Sequence, residues 1–181
     1  ILGAPDGWQK AWADKVLKPV DKDGNPIKCE QGKCENTTFD WTWTQHTAFR
    51  IDSKSDKRFV YLTAFDNGDG RAFKQPENPK EKYSRAVMYR IDEKKGTVEQ
   101  IWEYGKKRGH ELYSAITSSV EYQADHDSLV VYWASRKLAE GGEPILTEFK
   151  RGGQEPVFEM VLKGTMGYRA VVIDVKKAFN P

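Results

Sequence analysis

The chain lacks most of what a metal enzyme, a nucleotide enzyme or a membrane protein needs. It has two cysteines and three histidines in 181 residues. No His-x-x-His or His-Glu-x-x-His spacing occurs, so the usual helix-borne zinc sites are excluded. There is no Gly-x-Gly-x-x-Gly and no phosphate loop, so nothing supports a nucleotide cofactor. No apolar run approaches the roughly 20 residues of a transmembrane helix. Neither sign of charge dominates: 29 Lys and Arg face 27 Asp and Glu. That balance excludes the clustered basic excess of a dedicated nucleic-acid binder. The sequence also lacks an initiator methionine and a signal peptide, and opening at Ile1 it is expected to be a fragment of a longer protein.

What is present is charge and aromatic rings. Charged residues make up 31% of the chain and mean hydropathy is −0.75, which implies a strongly solvated surface. Six Trp, eight Tyr and eight Phe suit a protein made of sheets. One helix is expected over 6–17, with Asp6 as cap and Trp8, Trp12, Val16 and Leu17 at helical spacing. It should end before Pro19, whose predecessor Lys18 is biased away from helical geometry. Residues 20–38 read as a loop.

The remainder is read as strands near 42–51, 58–65, 84–91, 96–104, 113–122, 127–134, 144–150, 156–163 and 167–175. Turn signals separate them at Asp52 to Lys57, Glu93 to Gly96, Ala124 to Asp127 and Arg151 to Gly153. The pair 86–92 and 98–105 resembles the later pair 145–150 and 157–164 in pattern. Four antiparallel strands, repeated, are what propeller blades look like. The expected architecture is all-β: about two four-stranded antiparallel blades plus one extra strand. Residues 1–38 are read as a helix and loop leading in, and 39–181 as blades. Typical propellers have about 4–8 blades, so these elements alone cannot close a ring.

Candidate chemistry centres on His46. In the stretch 39–51 the bulky Phe39, Trp41, Trp43, Phe49 and Ile51 occupy odd positions, while His46 shares the even face with Thr42, Thr44 and Ala48. An imidazole among small polar neighbours is placed to meet a ligand, and it can act as neutral nucleophile or proton carrier near neutral pH. The bland reading is a structural strand histidine. His110 and His126 read as solvated loop residues. Gly105-Lys106-Lys107-Arg108 reads as a solvated loop rather than an anion site. Two Asp/Asn/Gly stretches invite a calcium reading and fail it. From Asp66, EF-hand positions three and five would be Gly68 and Gly70; from Asp21, Pro26 stands where Gly is required and Gly32 where Glu is required. For Cys29 and Cys34 a local disulfide is the favoured reading, which would need an oxidising compartment. Two free loop thiols and a zinc half-site are the alternatives.

Several long motifs occur in order: Thr44-Gln45-His46-Thr47-Ala48, Phe65-Asp66-Asn67-Gly68-Asp69-Gly70-Arg71, Tyr83-Ser84-Arg85, and 96–106 with its Gln100-Ile101-Trp102-Glu103-Tyr104 centre. Together they resemble the C-terminal part of bacterial arylsulfate sulfotransferases, and the likeness runs through nearly all of the chain. The resemblance implies a periplasmic six-bladed β-propeller that moves a sulfuryl group from a phenolic sulfate donor to a phenol acceptor, with no cofactor. It implies that His46, in the Thr-Gln-His-Thr motif, is the nucleophile. It implies that Thr117 and Tyr168 contribute to the substrate site and that Cys29 and Cys34 form the family's loop disulfide. Members of that family are much longer, and their earlier blades bring two further histidines and an arginine. The chain alone is therefore expected to have little or no activity. The competing expectation is a non-catalytic propeller segment that binds a ligand or a protein partner. Open strand edges lead to the further expectation of a homodimer.

Overall fold

The computed structural model describes residues 1–74, 78–150 and 152–179. The expected turn at Arg151 to Gly153 thus begins outside the described residues. The chain is mostly β, arranged in antiparallel sheets. The strands are β1 (Lys18–Pro19), β2 (Cys29–Glu30), β3 (Lys33–Cys34), β4 (His46–Arg50), β5 (Phe59–Asp66), β6 (Arg85–Asp92), β7 (Thr97–Tyr104), β8 (Ser119–Gln123), β9 (Ser128–Trp133), β10 (Ile145–Lys150) and β11 (Phe158–Val161). One sheet has the order β1-β7-β6-β5-β4, a second β11-β10-β9-β8, and β2 pairs with β3 alone. Strands β4 to β7 and β8 to β11 are therefore two four-stranded antiparallel meanders, and the short β1 adds to the first in parallel.

The period-two pattern of β6 explains how the first sheet is covered on both faces. Ala86 and Met88 join a core with Phe65, Leu129, Val131, Trp133 and Phe149, between the two sheets. Val87, Tyr89 and Ile91 join a second core with Phe39, Trp41 and Val98. The N-terminal segment covers that face through Leu2, Ala4, Leu17 and Ile27. Trp133 is fully buried, and its indole N–H donates to Thr147 Oγ1 at 3.0 Å, so the ring is buried without an orphaned donor. Gly105, at φ 118°, lies against it: a Cβ there would stand 2.6 Å from the Ser84 carbonyl oxygen and 2.7 Å from the Trp133 ring.

The register of β5 and β6 sets Asp66 directly opposite Arg85. Both side chains are fully buried, and Arg85 Nε donates to Asp66 Oδ2 at 2.7 Å. Arg85 also donates to Gln100 Oε1 and to the carbonyls of Asp40 and Trp41. Arg71 adds bonds to Asp66 Oδ2 at 2.9 Å and Asp40 Oδ2 at 3.0 Å. A buried charge pair is tolerable only when its remaining hydrogen-bonding groups are met, and here backbone carbonyls and amides meet them.

Four expectations need correction. The N-terminal helix covers only Lys10–Ala13, and its N-cap Gln9 makes no side-chain capping bond. Asp6 instead accepts from the amides of Gln31 and Gly32, holding the β2–β3 turn, while Trp8 and Trp12 are exposed. A four-residue helix is too short to stand without packing. The first long strand begins at His46 rather than 42, because Thr44 adopts φ 52° and breaks the extended chain. Residues 113–118 are not strand: Thr117 and Ser118 take φ 59° and 85°, so β8 starts at Ser119.

The expected strand at 167–175 also fails. That segment runs beside β8, but side chains interrupt the ladder. Ala170 N donates to Ser119 Oγ at 3.1 Å and Val172 N to Glu121 Oε2 at 3.3 Å. The chain then closes in a second helix, Val175–Phe179.

Asp66→Asn removes the charge that compensates Arg85. It is expected to lower unfolding free energy by about 3 kcal/mol or more, the cost of leaving a buried charge alone. Asp52→Asn, which removes the exposed pair with Arg50, should cost under about 1 kcal/mol. Urea denaturation of both variants checks this, and equal losses would refute it.

Candidate functional site

His46 opens β4, half-buried, and pairs with Phe65 across the sheet. Between His46 and Phe49 the register slips through a bulge, with Thr47 at φ 50°. Bulges re-aim side chains, and so the simple odd–even division of 39–51 does not survive. Thr42 in particular is buried rather than on a ligand-facing side.

The groups that hold His46 come from several loops. Its Nδ1 lies 2.6 Å from Oδ1 of Asn67. Asn67 follows β5 and is fully buried. Its Nδ2 donates to the carbonyls of Ser114 at 2.7 Å and Thr117 at 3.1 Å, and its own carbonyl accepts from Ser84 Oγ at 2.8 Å. The local chain is stapled around it. Trp43 N donates to Asp66 Oδ1 at 2.8 Å, and Gly68 N donates to the Trp43 carbonyl at 2.9 Å. Gly68 is needed there: at φ 78° it passes so close to the Tyr83 carbonyl that a Cβ would collide with that oxygen.

A buried serine set backs the same region. Ser114 Oγ bonds Ser118 Oγ at 2.8 Å and Ser135 Oγ at 2.9 Å, and it accepts from Ser135 N at 2.8 Å. Thr47 Oγ1 donates to the Ser118 carbonyl at 3.1 Å, joining the two sheets beside His46. Thr44, Thr47 and Thr117 are β-branched residues at positive φ, a combination that costs energy and concentrates at functional positions.

Of the residues singled out in the sequence, His46 and Thr117 are brought together through Asn67. Thr117 is buried, and its hydroxyl donates to the Ile116 carbonyl at 2.6 Å, with the Gly167 carbonyl at 3.3 Å. Tyr168 follows immediately, its carbonyl accepting from Ser118 N at 2.9 Å, while the residue is 65% exposed. The chain thus passes the same end of the sheets at His46, Thr117 and Tyr168. Cys29 and Cys34 face each other across β2 and β3 and are disulfide-bonded. Sequence reasoning missed Asn67 and the serines. The available signals were an Asn-Gly step directly after a strand and the run 117–119 of small hydroxyl residues.

A cavity of about 560 Å³ lies elsewhere, at the far ends of β4 and β8, lined by Phe49, Arg50, Thr63, Glu121 and Arg169 but not by His46. Among the described residues no cluster of three or more His, Cys, Asp or Glu could hold a metal ion, and no helix is long and apolar enough to cross a membrane.

A mostly β chain that carries one imidazole braced by a buried amide is a sound frame for histidine chemistry. The arylsulfotransferase (ASST) family model matches residues 1–169, and the chain belongs to that family. It is 55% identical over 145 residues to the arylsulfate sulfotransferase AssT of Escherichia coli O6:H1, covering 80% of this chain and 23% of that protein. It is 52% identical over 147 residues to AssT of Lelliottia amnigena, covering 81% of this chain and 24% of that protein. The chain thus spans about a quarter of the length of these curated relatives.

Near the site, burial pushes the Tyr83 phenol up to about 12, with Arg71 opposing and Asp40 adding to the shift. Its hydroxyl donates to Asp40 Oδ2 at 3.1 Å. A folded value raised above the unfolded one gives stability that is full below the ordinary phenol range, about 10, and lost as pH rises through the folded value. The urea midpoint should therefore fall between about pH 10 and pH 12, and fall less in Tyr83→Phe. An ordinary phenol titration for Tyr83 by ultraviolet difference spectra would contradict this.

Proposed function

We propose that this chain is the C-terminal part of an arylsulfate sulfotransferase, with His46 as the residue that carries the sulfuryl group. The observation that carries the reading is the half-buried imidazole held at 2.6 Å by a fully buried amide, flanked by threonines in strained backbone. Such bracing is what a nucleophile needs and what a surface histidine does not. In the proposed reaction a neutral imidazole nitrogen attacks the sulfur of an aryl sulfate and expels a phenolate. A second phenol then attacks the sulfohistidine and takes the sulfuryl group, restoring the histidine. Splitting one transfer into two steps implies ping-pong kinetics.

The two meanders are proposed to be blades of a six-bladed propeller, with 39–181 in the blades and 1–38 leading in. The segment beside β8 would be the inner edge of a third blade. Tyr168 is proposed as a hydrogen-bond donor to substrate. Thr117 Oγ1 is already committed to backbone carbonyls, so its proposed contribution runs through lone pairs on that oxygen. The Cys29–Cys34 disulfide supports an oxidising compartment, and we assign the protein to the periplasm. Each preorganised donor of such a site is worth about 10²–10³ in rate. If the earlier part of the longer relatives supplies most of the positive charge, the 181 residues alone should turn over little.

The second reading, a segment that binds a ligand without transferring anything, has the cavity away from His46 on its side. Peptide mass spectrometry separates the two readings. The protein expressed from its full gene is incubated with 4-nitrophenyl sulfate, and a sulfuryl adduct is expected on the peptide holding His46. The adduct and transfer to phenol should both vanish in His46→Ala. Undiminished transfer by that variant would refute the catalytic reading.

The all-exposed outer strand β11, with Phe158 and Met160, leaves an open edge, which supports association of the 181-residue chain as a homodimer. Light scattering should give twice the chain mass, and a monomer at all concentrations would count against it.

A further inference from the structure

We infer that Asn67 is the positioning residue of His46: it fixes the imidazole in the Nδ1–H tautomer and so turns the bare Nε2 lone pair toward the substrate. The inference rests on the sulfuryl-transfer reading for its consequence, but not for its geometry. Asn67 Oδ1 lies 2.6 Å from His46 Nδ1. An amide oxygen can only accept, so the hydrogen must sit on the histidine nitrogen. The amide cannot be turned over to reverse the roles. Its Nδ2 faces two carbonyl oxygens, Ser114 at 2.7 Å and Thr117 at 3.1 Å. Flipping would set Oδ1 against both of those acceptors and take from the Thr117 carbonyl its Asn67 donor. Ser84 Oγ, bonded to the Asn67 carbonyl at 2.8 Å and the Ser114 carbonyl at 3.1 Å, holds the main chain on both sides of this arrangement.

The hydrogen bond made by one imidazole nitrogen decides what the other can do. With Nδ1 protonated, the Nε2 lone pair forms the new N–S bond while the S–O(aryl) bond breaks and its electron pair leaves as phenolate. The ring gains positive charge, and that charge is spread onto the Nδ1–H that Asn67 already accepts. When the acceptor phenol gives up its proton, balanced by the phenolate released in the first step, and its oxygen takes the sulfuryl group, the N–S pair returns to Nε2 and the tautomer is unchanged. A serine hydroxyl in place of Asn67 would be too short for the span, and an aspartate would put oxygen against the Ser114 and Thr117 carbonyls. A side-chain amide serves both ends at once.

The test uses the protein expressed from its full gene, with ¹⁵N-labelled histidine. Two-bond ¹H–¹⁵N correlation of the neutral His46 ring should show the proton on Nδ1 in the wild type. In Asn67→Ala the signal should move toward the Nε2–H form. With 4-nitrophenyl sulfate and phenol, kcat should fall about 10–100-fold, the usual cost of losing an outer-shell orienting partner, with KM nearly unchanged. Asn67→Asp should keep the Nδ1–H form. A wild-type His46 carrying its proton on Nε2 would overturn the inference, and so would Asn67→Ala with unchanged tautomer and kcat. The wild-type spectrum decides even if a variant fails to fold. A protein with the Nδ1–H tautomer but no sulfuryl adduct at His46 would sink the transfer reading and leave the role of Asn67 intact.

Discussion

The buried pair of Arg85 and Asp66 is the constraint on which the rest depends. Two full charges sit in the interior of the first sheet with both side chains fully buried. They are tolerated there because Arg85 donates to Asp66, to Gln100 and to two backbone carbonyls, and both Asp66 carboxylate oxygens accept. Arg85 holds the carbonyls of Asp40 and Trp41, and Asp66 holds the amide of Trp43. Residues 39–45, directly before β4, have no strand ladder to place them, and this polar knot takes over that task. The entry angle of His46 is set three residues upstream by a charge pair on two other strands.

From that knot the site grows by adjacency. Asn67 is the next residue after Asp66, Gly68 lets the backbone turn sharply, and Ser84 precedes Arg85. One register, Asp66 opposite Arg85, therefore fixes the ion pair that anchors the approach to His46 and the amide that braces its ring. The serines and Thr47 extend the same hydrogen bonding into the second sheet. Left-handed threonines persist because these neighbours over-determine them.

Much of the sheet was legible in the sequence. Strands β5, β6, β7, β9 and β10 have alternating apolar residues, clear turn signals and packing on one or both faces, so local pattern and tertiary structure agree. The readings that failed are those where tertiary bonds overrule pattern. The 6–17 helix had correct spacing but its cap, Asp6, was drawn to the Gln31 and Gly32 amides. Residues 167–175 alternate like a strand, yet the neighbouring Ser119 and Glu121 side chains occupy the amides a ladder would need. His46 was singled out through its motif. Asn67 was not, because nothing in a sequence tells that an asparagine in an Asn-Gly turn is fully buried and faces three loops. Its role depends on carbonyls 47 and 50 residues away.

Asn67 touches His46 with one end and the second sheet's approach loop with the other. The aim of the imidazole is therefore a mechanical property of how the two sheets sit on each other. A small rotation at the shared apolar core of Phe65, Trp133 and Phe149 would be transmitted through a rigid amide to the ring. Distant packing residues thereby become levers on the orientation of the ring, and the imidazole acts as a built-in gauge of whether its scaffold is properly assembled.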